Sequence, residues 1–382
     1  MSTNTVKASD FFNPDTQVAH PALIACPGAE ELTKQIDKHL VAWAKEVGIE
    51  QETFIVECAC PRFQSGDAKG LVKQSVRGDD IFFVCDPGNY SLTYNLFGVE
   101  NHMSPDDHYA NLKRLIQAVA GRSHRMSVIM PSLYGGRQHR RIARESLDCA
   151  VALQELQAMG VDNIITFDAH DPRLMNAVPL MSFDNVMPTY QVLKTLLRRM
   201  PELSFDKDSF MVISPDEGAI NRNMYFSSVL GCNLGMFYKR RDYTRVVNGR
   251  NPIVAHEYLG ESVEGKTVFI ADDIIASGES MLEVASELKK RGAKNIIANA
   301  TFPLFTSGVE KFDEAVKAGT LTAVLGTNLT YRKPELLEKS WYFDVDCSKY
   351  CAYFVAAINH EMSVSSICDP IKKIEALLSR RK

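Results

Sequence analysis

The chain has 382 residues, of which 45% are hydrophobic, and it carries 43 lysine and arginine residues against 47 aspartate and glutamate residues. This length favours two domains over one, and the composition is sufficient for buried cores. The near balance of charge gives no reason to expect a nucleic-acid partner. No apolar run is long enough to span a bilayer, and the polar start MSTNTVKASD lacks a secretory hydrophobic region. We therefore expect a cytoplasmic protein with no membrane association.

Strand-like and helix-like segments alternate along the chain. Helices are predicted at Glu30–Val47 before Gly48, from Ser104 to near Gly121, and at Met281–Arg291 before Gly292. Strands are predicted at Ile81–Cys85, Ser127–Met130, Ile164–Phe167, Phe210–Ile213, Leu234–Tyr238, Val268–Ala271 and Ile296–Ala300. This order favours an α/β architecture with parallel sheets.

An internal echo supports two similar α/β domains. GVDNII at residues 160–165 resembles GAKNII at residues 292–297, and each stands where a predicted helix gives way to a strand. Helix, glycine and apolar strand recur in many α/β proteins, so the echo gains weight only together with the chain length. We place the boundary near Asp184, because the segment that follows it leads into a new helix. No low-complexity linker marks this boundary.

The nine cysteines do not form a pattern typical of a metal site. Cys58 and Cys60 are closer together than the cysteines of a zinc knuckle, while Cys347 and Cys351 could be neighbours on a helix. We therefore expect most cysteines to be reduced packing residues.

The segment VFIADDIIASGES runs from an apolar strand into two aspartates and then into a small turn that opens a helix. The backbone N–H groups of residues 277–280 and the positive end of the helix dipole suit a phosphate group. Asp272 and Asp273 offer acceptor oxygens for the paired hydroxyls of a sugar, and the lysine of a Walker-type loop is absent. The segment indicates a ribose 5-phosphate moiety. The alternative is an acidic N-cap cluster on an ordinary strand-to-helix turn.

Two further strand ends carry candidate binding groups. In MPSLYGGRQHRR, Arg137 and Gln138 belong to a set of donors suited to a nucleoside triphosphate, although the segment could equally be a solvated basic turn. In TFDAHDP, Asp168 and His170 end another strand. The imidazole of His170 could bind a metal or satisfy a local hydrogen bond.

Two more clusters lie farther along the chain. VISPDEGAINR places Asp216 at a strand end, and its Glu217, Gly218 and Ala219 form a turn that could hold a metal-bound diphosphate. The triplet Lys239-Arg240-Arg241 follows the strand-like run ending at Tyr238. It begins a polar segment that could close over phosphates or form a solvated face.

Taken in order, these clusters resemble the ribose-phosphate diphosphokinase family, also called phosphoribosyl diphosphate synthetases, from roughly Arg62 to Ser366. The segment RFQSGD resembles the nucleobase loop of the family, and RQ, DAH, SPD, KRR and DDIIASGES match its other motifs in sequence order. The resemblance implies two similar type I phosphoribosyltransferase-like domains, each a mostly parallel sheet flanked by helices. We predict that residues 1–184, completed by 352–382, form the ATP side, and that 185–351 carry the ribose 5-phosphate and diphosphate loops.

The resemblance also implies a reaction and a role for each motif. ATP would transfer its terminal diphosphoryl group to the C1 hydroxyl of ribose 5-phosphate, giving phosphoribosyl diphosphate and AMP for nucleotide biosynthesis. Mg²⁺ would neutralise the ATP oxygens, and the protein would be a homo-oligomer. The implied residues are Phe63, Ser65, Asp67, Arg137 and Gln138 for ATP; Asp272, Asp273, Ser277, Gly278 and Ser280 for ribose 5-phosphate; Asp216, Glu217, Gly218 and Ala219 for the diphosphate; His170 and Asp216 for the metal; and Lys239 and Arg241 for catalysis.

The chain departs from the family pattern at several positions. Ala276 replaces an aspartate and Glu279 a glycine in the ribose-phosphate turn, which makes the turn more similar to that of phosphoribosyltransferases. Ser65 and His139 replace acidic residues, and the segment Tyr90–Asp107 is longer than its usual counterpart. Two alternative functions therefore remain at this stage: a phosphoribosyltransferase, and a catalytically inactive regulatory homologue of the synthetase.

Overall fold

The computed structural model describes residues 12–119, 121–241 and 253–379, which divide into two compact units. The first unit comprises the chain through Pro188 together with residues 328–331 and 346–369. The second comprises residues 189–327, 332–345 and the chain from Pro370 onward. Each unit is thus assembled from segments that are distant in sequence.

The observed division departs from the predicted domain limits, because residues 185–188, 328–331 and 346–351 lie in the first unit and residues 370–379 lie in the second. Asp184 lies inside a strand, Ser182–Val186, and the units divide after Pro188. The sequence SFDNV has only two apolar residues and therefore gave no strand signal. Residues 370–379 belong to the second unit rather than the first, because their helix packs on two helices of that unit.

Within its described residues, the first stretch of the chain forms nine strands, three α-helices and two short 3₁₀ helices, Pro14–Thr16 and Pro172–Ala177. In chain order the strands and α-helices are β1 Pro21–Ala25, α1 Glu30–Glu46, β2 Cys58–Ala59, β3 Leu71–Val72, β4 Asp80–Val84, β5 Thr93–Leu96, β6 Val99–His102, α2 Pro105–Val119, β7 Arg125–Ile129, α3 Asp148–Ala158, β8 Asn163–Phe167 and β9 Ser182–Val186. A five-stranded parallel sheet has the order β1-β4-β7-β8-β9, and the pairs β2–β3 and β5–β6 form two small antiparallel ribbons.

The remaining elements build mainly the second unit. In chain order these are α4 Thr189–Arg199, β10 Phe210–Ser214, α5 Ile220–Leu230, β11 Asn233–Arg241, β12 Ile253–Leu259, β13 Thr267–Ile275, α6 Glu279–Lys290, β14 Asn295–Pro303, α7 Glu310–Lys317, β15 Ala323–Thr327, α8 Pro334–Leu337, β16 Tyr342–Val345, α9 Ser348–Asn359, α10 Ser365–Cys368 and α11 Ile371–Ser379. A seven-stranded sheet has the order β12-β11-β10-β13-β14-β15-β16, and only the β11–β12 pair is antiparallel.

The burial of the strands explains why the sheets are parallel and central. All five residues of β4 and all five of β10 are buried, as expected for strands covered on both faces by helices. Helix α1 packs on α9 and on β1, and α2 places Leu112, Leu115 and Ile116 in one core cluster with residues of β4 and β7. The predicted α/β class with two mostly parallel sheets is therefore confirmed.

The internal echo corresponds to equivalent structure in the two units. Gly160 ends α3 with φ 89° before β8, and Gly292 ends α6 with φ 86° before β14. Glycine adopts a positive φ with little strain, whereas a residue with a Cβ does not. The repeated GxxNII pattern therefore records the same helix-to-strand junction in both sheets.

The cysteines and the lengths of the helices bear on the class of protein. All nine cysteines lie in described residues and none forms a disulfide; six are buried and three partly buried, as expected for reduced packing residues. Within the described ranges, no helix combines the length and apolarity needed to cross a bilayer.

Candidate functional site

The acidic pair of the second unit lies inside β13, in the part of the strand that extends beyond its pairing with β10. Asp273 is buried and Asp272 is partly buried, and the Asp272 carboxylate lies 3.6 Å from a guanidinium nitrogen of Arg222 on α5. Burial, and then the neighbouring Asp273 carboxylate, raise the pKa of Asp272 to about 8, although Arg222 opposes this shift. The Asp272 carboxyl therefore holds its proton at neutral pH, and a cation or hydroxyl donors would stabilise its ionised form.

The turn after the acidic pair is built around Gly278. This glycine is the N-cap of α6 with φ 80°, and a Cβ at this position would lie 2.3 Å from Cε2 of the buried Phe312. The close approach to the ring allows the turn to fold tightly over the helix start. The backbone N–H groups at the start of the 12-residue helix α6 have no partner within the helix, so they provide an anion-binding position.

Glu279 brings a carboxylate to the start of α6, where a phosphate would carry the same sign of charge. Its carboxylate pairs with Nζ of Lys311 on α7 at 2.8 Å, and this lysine lowers the pKa of Glu279. The lysine partly neutralises the acidic residue that departs from the family pattern. Both side chains are exposed, so this ion pair is weak and can rearrange.

The Asp216 turn connects β10, the strand beside β13, to helix α5. The Ala219 N–H donates to the Asp216 carboxylate at 3.1 Å, and the Ser214 hydroxyl donates to the Asp216 carbonyl at 2.8 Å. Asp216 is partly buried, whereas Glu217 and Gly218 are exposed. The turn is therefore ordered by its own hydrogen bonds while its tip faces solvent.

Asn223 joins the two acidic loops of the second unit. Its buried amide donates to the Ala271 carbonyl at 2.7 Å and accepts from the Ala271 N–H at 3.1 Å, so it behaves like a strand partner for the residue before Asp272. The same amide nitrogen also donates to the carbonyl of Ala219 at 2.9 Å. Asn223 thus fixes the Asp216 and Asp272 loops to a common support.

In the first unit, the segment Arg62–Asp67 forms a closed loop that presents an aromatic ring. The Phe63 N–H donates to the Asp67 carbonyl at 2.7 Å, and the Gly66 N–H donates to the Phe63 carbonyl at 2.9 Å. The Phe63 side chain is 52% exposed, and the Ser65 hydroxyl donates to the Asp67 carboxylate at 2.9 Å. The loop therefore offers a ring face beside polar groups, as a purine would require.

The first turn of α2 links this loop to the loop after β7. Asp107 pairs with Arg62 at 2.9 Å, while the adjacent Asp106 accepts from the Tyr134 hydroxyl at 2.7 Å. Tyr134 stacks on Tyr109 with ring centroids 4.4 Å apart. The structure thus brings the Phe63 loop and the arginine-bearing loop to the same helix start.

The loop after β7 carries the predicted Arg-Gln pair. Arg137 is exposed, and the Gln138 amide donates to the Ser146 carbonyl at 2.8 Å, which closes its own loop. Gly135 has φ 65°, and a Cβ there would lie 3.0 Å from the backbone nitrogen of Cys149 at the start of α3. The glycine permits the loop to pack on α3 while Arg137 points into solvent.

His139 and His170 lie together at the ends of adjacent strands. Their ring centroids are 5.2 Å apart, and His139 Nε2 is 3.6 Å from the carboxylate of Asp171. Burial, and then the neighbouring His170, lower the pKa of His139, whereas Arg173 holds the pKa of Asp171 at about 2. His170 itself is exposed. The predicted metal candidate therefore has an accessible imidazole.

The basic triplet lies on a strand and not in a loop, which corrects the prediction that a polar loop begins at Lys239. Lys239 is opposite His256 and Arg241 is opposite Ile253 in the antiparallel β11–β12 pair, with an irregularity after Arg240. Beyond Met236, β11 pairs only with the edge strand β12, and this pairing depends on the backbone, so consecutive residues there can be charged. The rest of the polar segment predicted to follow from Lys239, and the side chains of the triplet, lie outside the described residues.

Sequence reasoning missed two residues of the second unit, Arg222 and Asn223. A single arginine or asparagine within a helix carries no motif signal, and their importance depends on which strand end α5 faces. One feature of the sequence pointed to them: both residues lie within about two helical turns after the Asp216 turn.

These features define an α/β protein of two mostly parallel sheets with acidic and glycine-bearing loops at the carboxyl ends of their strands. Residues 22–160 match the N-terminal domain of ribose phosphate pyrophosphokinase, and residues 183–314 match the phosphoribosyl transferase domain. The chain belongs to the ribose-phosphate pyrophosphokinase family.

Individual relatives show that it is a distant member. It is 31% identical over 253 residues to the ribose-phosphate pyrophosphokinase of Burkholderia pseudomallei, covering 65% of this chain and 70% of that protein. It is 27% identical over 314 residues to that of Shewanella oneidensis, covering 80% and 89%. The fold is similar to the crystal structure of phosphoribosylpyrophosphate synthetase from Mycobacterium smegmatis, with a TM-score of 0.70, 21% identity and coverage of 90% and 99%.

Proposed function

We propose that the protein is a ribose-phosphate diphosphokinase that transfers the diphosphoryl group of ATP to ribose 5-phosphate. The C1 oxygen of the sugar would attack the β-phosphorus of ATP, the bond from that phosphorus to the α,β-bridging oxygen would break, and AMP would leave. The hydroxyl proton passes to solvent, and no carboxylate is assigned as general base. The observation that carries the proposal is the acidic pair, with Asp273 buried and Asp272 partly buried, on the strand that leads through a glycine turn into the start of α6.

The second unit would bind ribose 5-phosphate. Asp272 and Asp273 would accept from the ribose hydroxyls, and the turn of Ser277, Gly278 and Ser280 would donate to the 5-phosphate. The positive end of α6 and the neutralisation of Glu279 by Lys311 support the phosphate position. The Asp216–Ala219 turn on the adjacent strand would accommodate the incoming diphosphate.

The first unit would bind ATP. Phe63 would stack on the adenine ring, and Ser65 and Asp67 would contact its polar edge. Arg137 and Gln138 would bind the nucleotide from the next loop, which shares its support on α2 with the Phe63 loop. An exposed guanidinium is suited to bidentate contacts with phosphate oxygens.

The residues present fit a hard divalent cation such as Mg²⁺. No group of three or more histidine, cysteine or acidic side chains forms a closed metal site within the described ranges. Magnesium is commonly bound through one or two protein ligands and the substrate phosphates, so a closed site is not required. Each unit would contribute a candidate cation ligand, His170 in the first unit and Asp216 in the second. The cation would supply charge neutralisation of the ATP phosphate oxygens.

Lys239 and Arg241 would stabilise the charge that develops around the transferred phosphorus. Phosphoryl transfer depends mainly on in-line positioning and electrostatic stabilisation. Both residues lie near the end of β11, immediately before the segment predicted to close over the substrates.

One assay separates this function from its two alternatives. The purified protein would be incubated with ATP, Mg²⁺ and ribose 5-phosphate, and AMP would be quantified by chromatography. AMP formation that requires ribose 5-phosphate but no nucleobase supports the proposal. In a parallel sample supplied with phosphoribosyl diphosphate, its consumption only when a nucleobase is added would identify a phosphoribosyltransferase. Binding of both substrates without turnover would identify an inactive homologue.

A further inference from the structure

The segment that is longer than its usual counterpart folds as a β-hairpin against the Phe63 loop. β5 and β6 pair through Thr93↔His102 to Leu96↔Val99, and the turn residues Phe97 and Gly98 both have positive φ. Such a two-residue turn matches the right-handed twist of the strands and gives a compact hairpin. The insertion is therefore an ordered element.

The base of the hairpin is tied directly to the start of α2. The His102 ring nitrogen Nδ1 lies 2.8 Å from the Tyr90 carbonyl, and the Met103 N–H donates to the Leu92 carbonyl at 2.8 Å. Ser104 follows immediately, and Asp107 accepts from its N–H at 3.0 Å, which is one half of a capping box. The hairpin and α2 thus share a single rigid junction.

Arg62 connects this junction to the Phe63 loop. Its Cζ atom lies over the Tyr94 ring, 3.8 Å from the ring centroid. One terminal nitrogen pairs with Asp107 at 2.9 Å, and the other donates to the Gly66 carbonyl at 2.9 Å. An arginine side chain can use its face and its edge together, so a single residue is held by hairpin, helix and loop. Partial burial of Arg62 strengthens these contacts.

A second contact between hairpin and loop does not depend on Arg62. Gly66 has φ 94°, and a Cβ there would lie 2.8 Å from Cδ1 of Leu96. Tyr94 and Leu96 are partly buried, whereas Thr93 and Asn95 are exposed, which is the alternation of a strand with one covered face. The covered face is the one that meets the loop.

We propose that the β5–β6 hairpin is a positioning element that fixes the Phe63 loop in the form that receives the base of the nucleotide. The inference rests on the proposed function, because Phe63 is the expected stacking partner of adenine. The hairpin residues Tyr94 and Leu96 do not contact the nucleotide themselves. They hold Arg62 and Gly66, and these set the direction of the Phe63 ring.

The test uses four variants of the full chain. Tyr94→Ala removes the ring that lies against Arg62, and Leu96→Ala removes the contact with Gly66. Two variants are controls. Tyr94→Phe keeps the ring, and Val99→Ala changes a residue of the same hairpin that is 61% exposed. KM for ATP, KM for ribose 5-phosphate and kcat are measured. Amide hydrogen exchange of residues 62–67 and ATP affinity by calorimetry are measured on the same samples.

We expect Tyr94→Ala and Leu96→Ala to raise KM for ATP by about three- to tenfold, with little change in KM for ribose 5-phosphate. Exchange of residues 62–67 should accelerate in both, and Tyr94→Phe and Val99→Ala should resemble the parent. An unchanged KM for ATP in an active enzyme, or equal rises in both KM values, would overturn the inference. If the parent chain makes no AMP, the proposed function fails. The inference is then decided by ATP affinity and loop exchange, and unchanged values in Tyr94→Ala and Leu96→Ala would overturn it.

Discussion

At the scale of single residues, the charge on Asp272 governs a pH dependence of stability. Its pKa in the folded protein, about 8, is above the ordinary value of 3.8, so the folded state holds the proton more strongly than the unfolded chain. Between these values the folded state binds more protons, and the free energy of unfolding therefore falls as the pH rises. The stability that the protonated Asp272 carboxyl contributes is complete below about pH 4. It is lost as the pH rises from about 4 to about 8.

Asp272→Asn should remove this dependence, because the amide has nearly the same shape and does not ionise. Without divalent cations, the variant should gain stability relative to the parent by on the order of 1–3 kcal/mol between pH 5 and pH 8. Urea unfolding at the two pH values measures this difference. A relative stability that stays constant or declines over the range would show that Asp272 is ionised at pH 5 in the folded protein.

Gly278 is the second residue with a sharp prediction. Alanine at this position would have an unfavourable positive φ and a Cβ within 2.3 Å of Phe312, whose ring packs on Phe305 at 4.8 Å. Gly278→Ala should therefore lower the free energy of unfolding by about 2 kcal/mol or more. It should also weaken ribose 5-phosphate binding far more than ATP binding.

A matched control for that variant is Gly265→Ala. Gly265 also has a positive φ, of 71°, but a Cβ there would have no heavy atom within 4 Å. Equal effects of the two substitutions in urea unfolding and ribose 5-phosphate binding would mean that backbone conformation alone matters and the contact with Phe312 does not.

At the scale of elements, the pairing of α6 with α7 determines how the turn tolerates Glu279. Removing the lysine leaves the carboxylate unneutralised at the helix start, where it competes electrostatically with a phosphate. Lys311→Ala should raise KM for ribose 5-phosphate by about two- to fivefold, and Glu279→Gln in the same background should restore it. The effect should fade at high ionic strength, because both side chains are exposed. Steady-state kinetics at two salt concentrations would show a salt-independent response if the charge argument is incorrect.

The end of β11 carries the proposed catalytic charges. Lys239→Ala should reduce kcat by about a hundredfold or more with much smaller changes in KM, because the contact would form chiefly in the transition state. Arg241→Ala should behave similarly, and the double variant should lose less than the product of the two losses. Steady-state rates of the three variants test this, and full turnover by Lys239→Ala would assign the triplet to a structural role in the strand pair.

The elements also show which parts of the fold could be predicted. Long buried strands such as β10 and β13 were predicted to within a few residues, because their apolar runs have no other explanation. The β5–β6 hairpin was not predicted as structure, since TYNL and VENH are short and half polar. The extension of β11 through Arg241 was missed because it depends on pairing with β12.

At the scale of the whole molecule, the order of the motifs predicted the architecture better than their local patterns did. Two sheets with candidate loops at their strand ends follow from the alternation of elements, and the repeated GxxNII junction reflects their similarity. The assignment of residues 346–369 to one unit and of α11 to the other depends on packing between distant segments. Arg222 and Asn223 likewise belong to the site only because of the strand ends that α5 faces, and no local sequence pattern shows this.

The central claim is the transfer of an intact diphosphoryl group, and ³¹P nuclear magnetic resonance tests it most directly. The purified protein would receive ATP, Mg²⁺ and ribose 5-phosphate, and the phosphorus signals would be followed with time. We predict that AMP and a sugar C1 diphosphate appear in equal amounts, with no ADP and no free inorganic phosphate. Formation of ADP, or an unchanged spectrum in a sample shown to bind both substrates, would contradict the account.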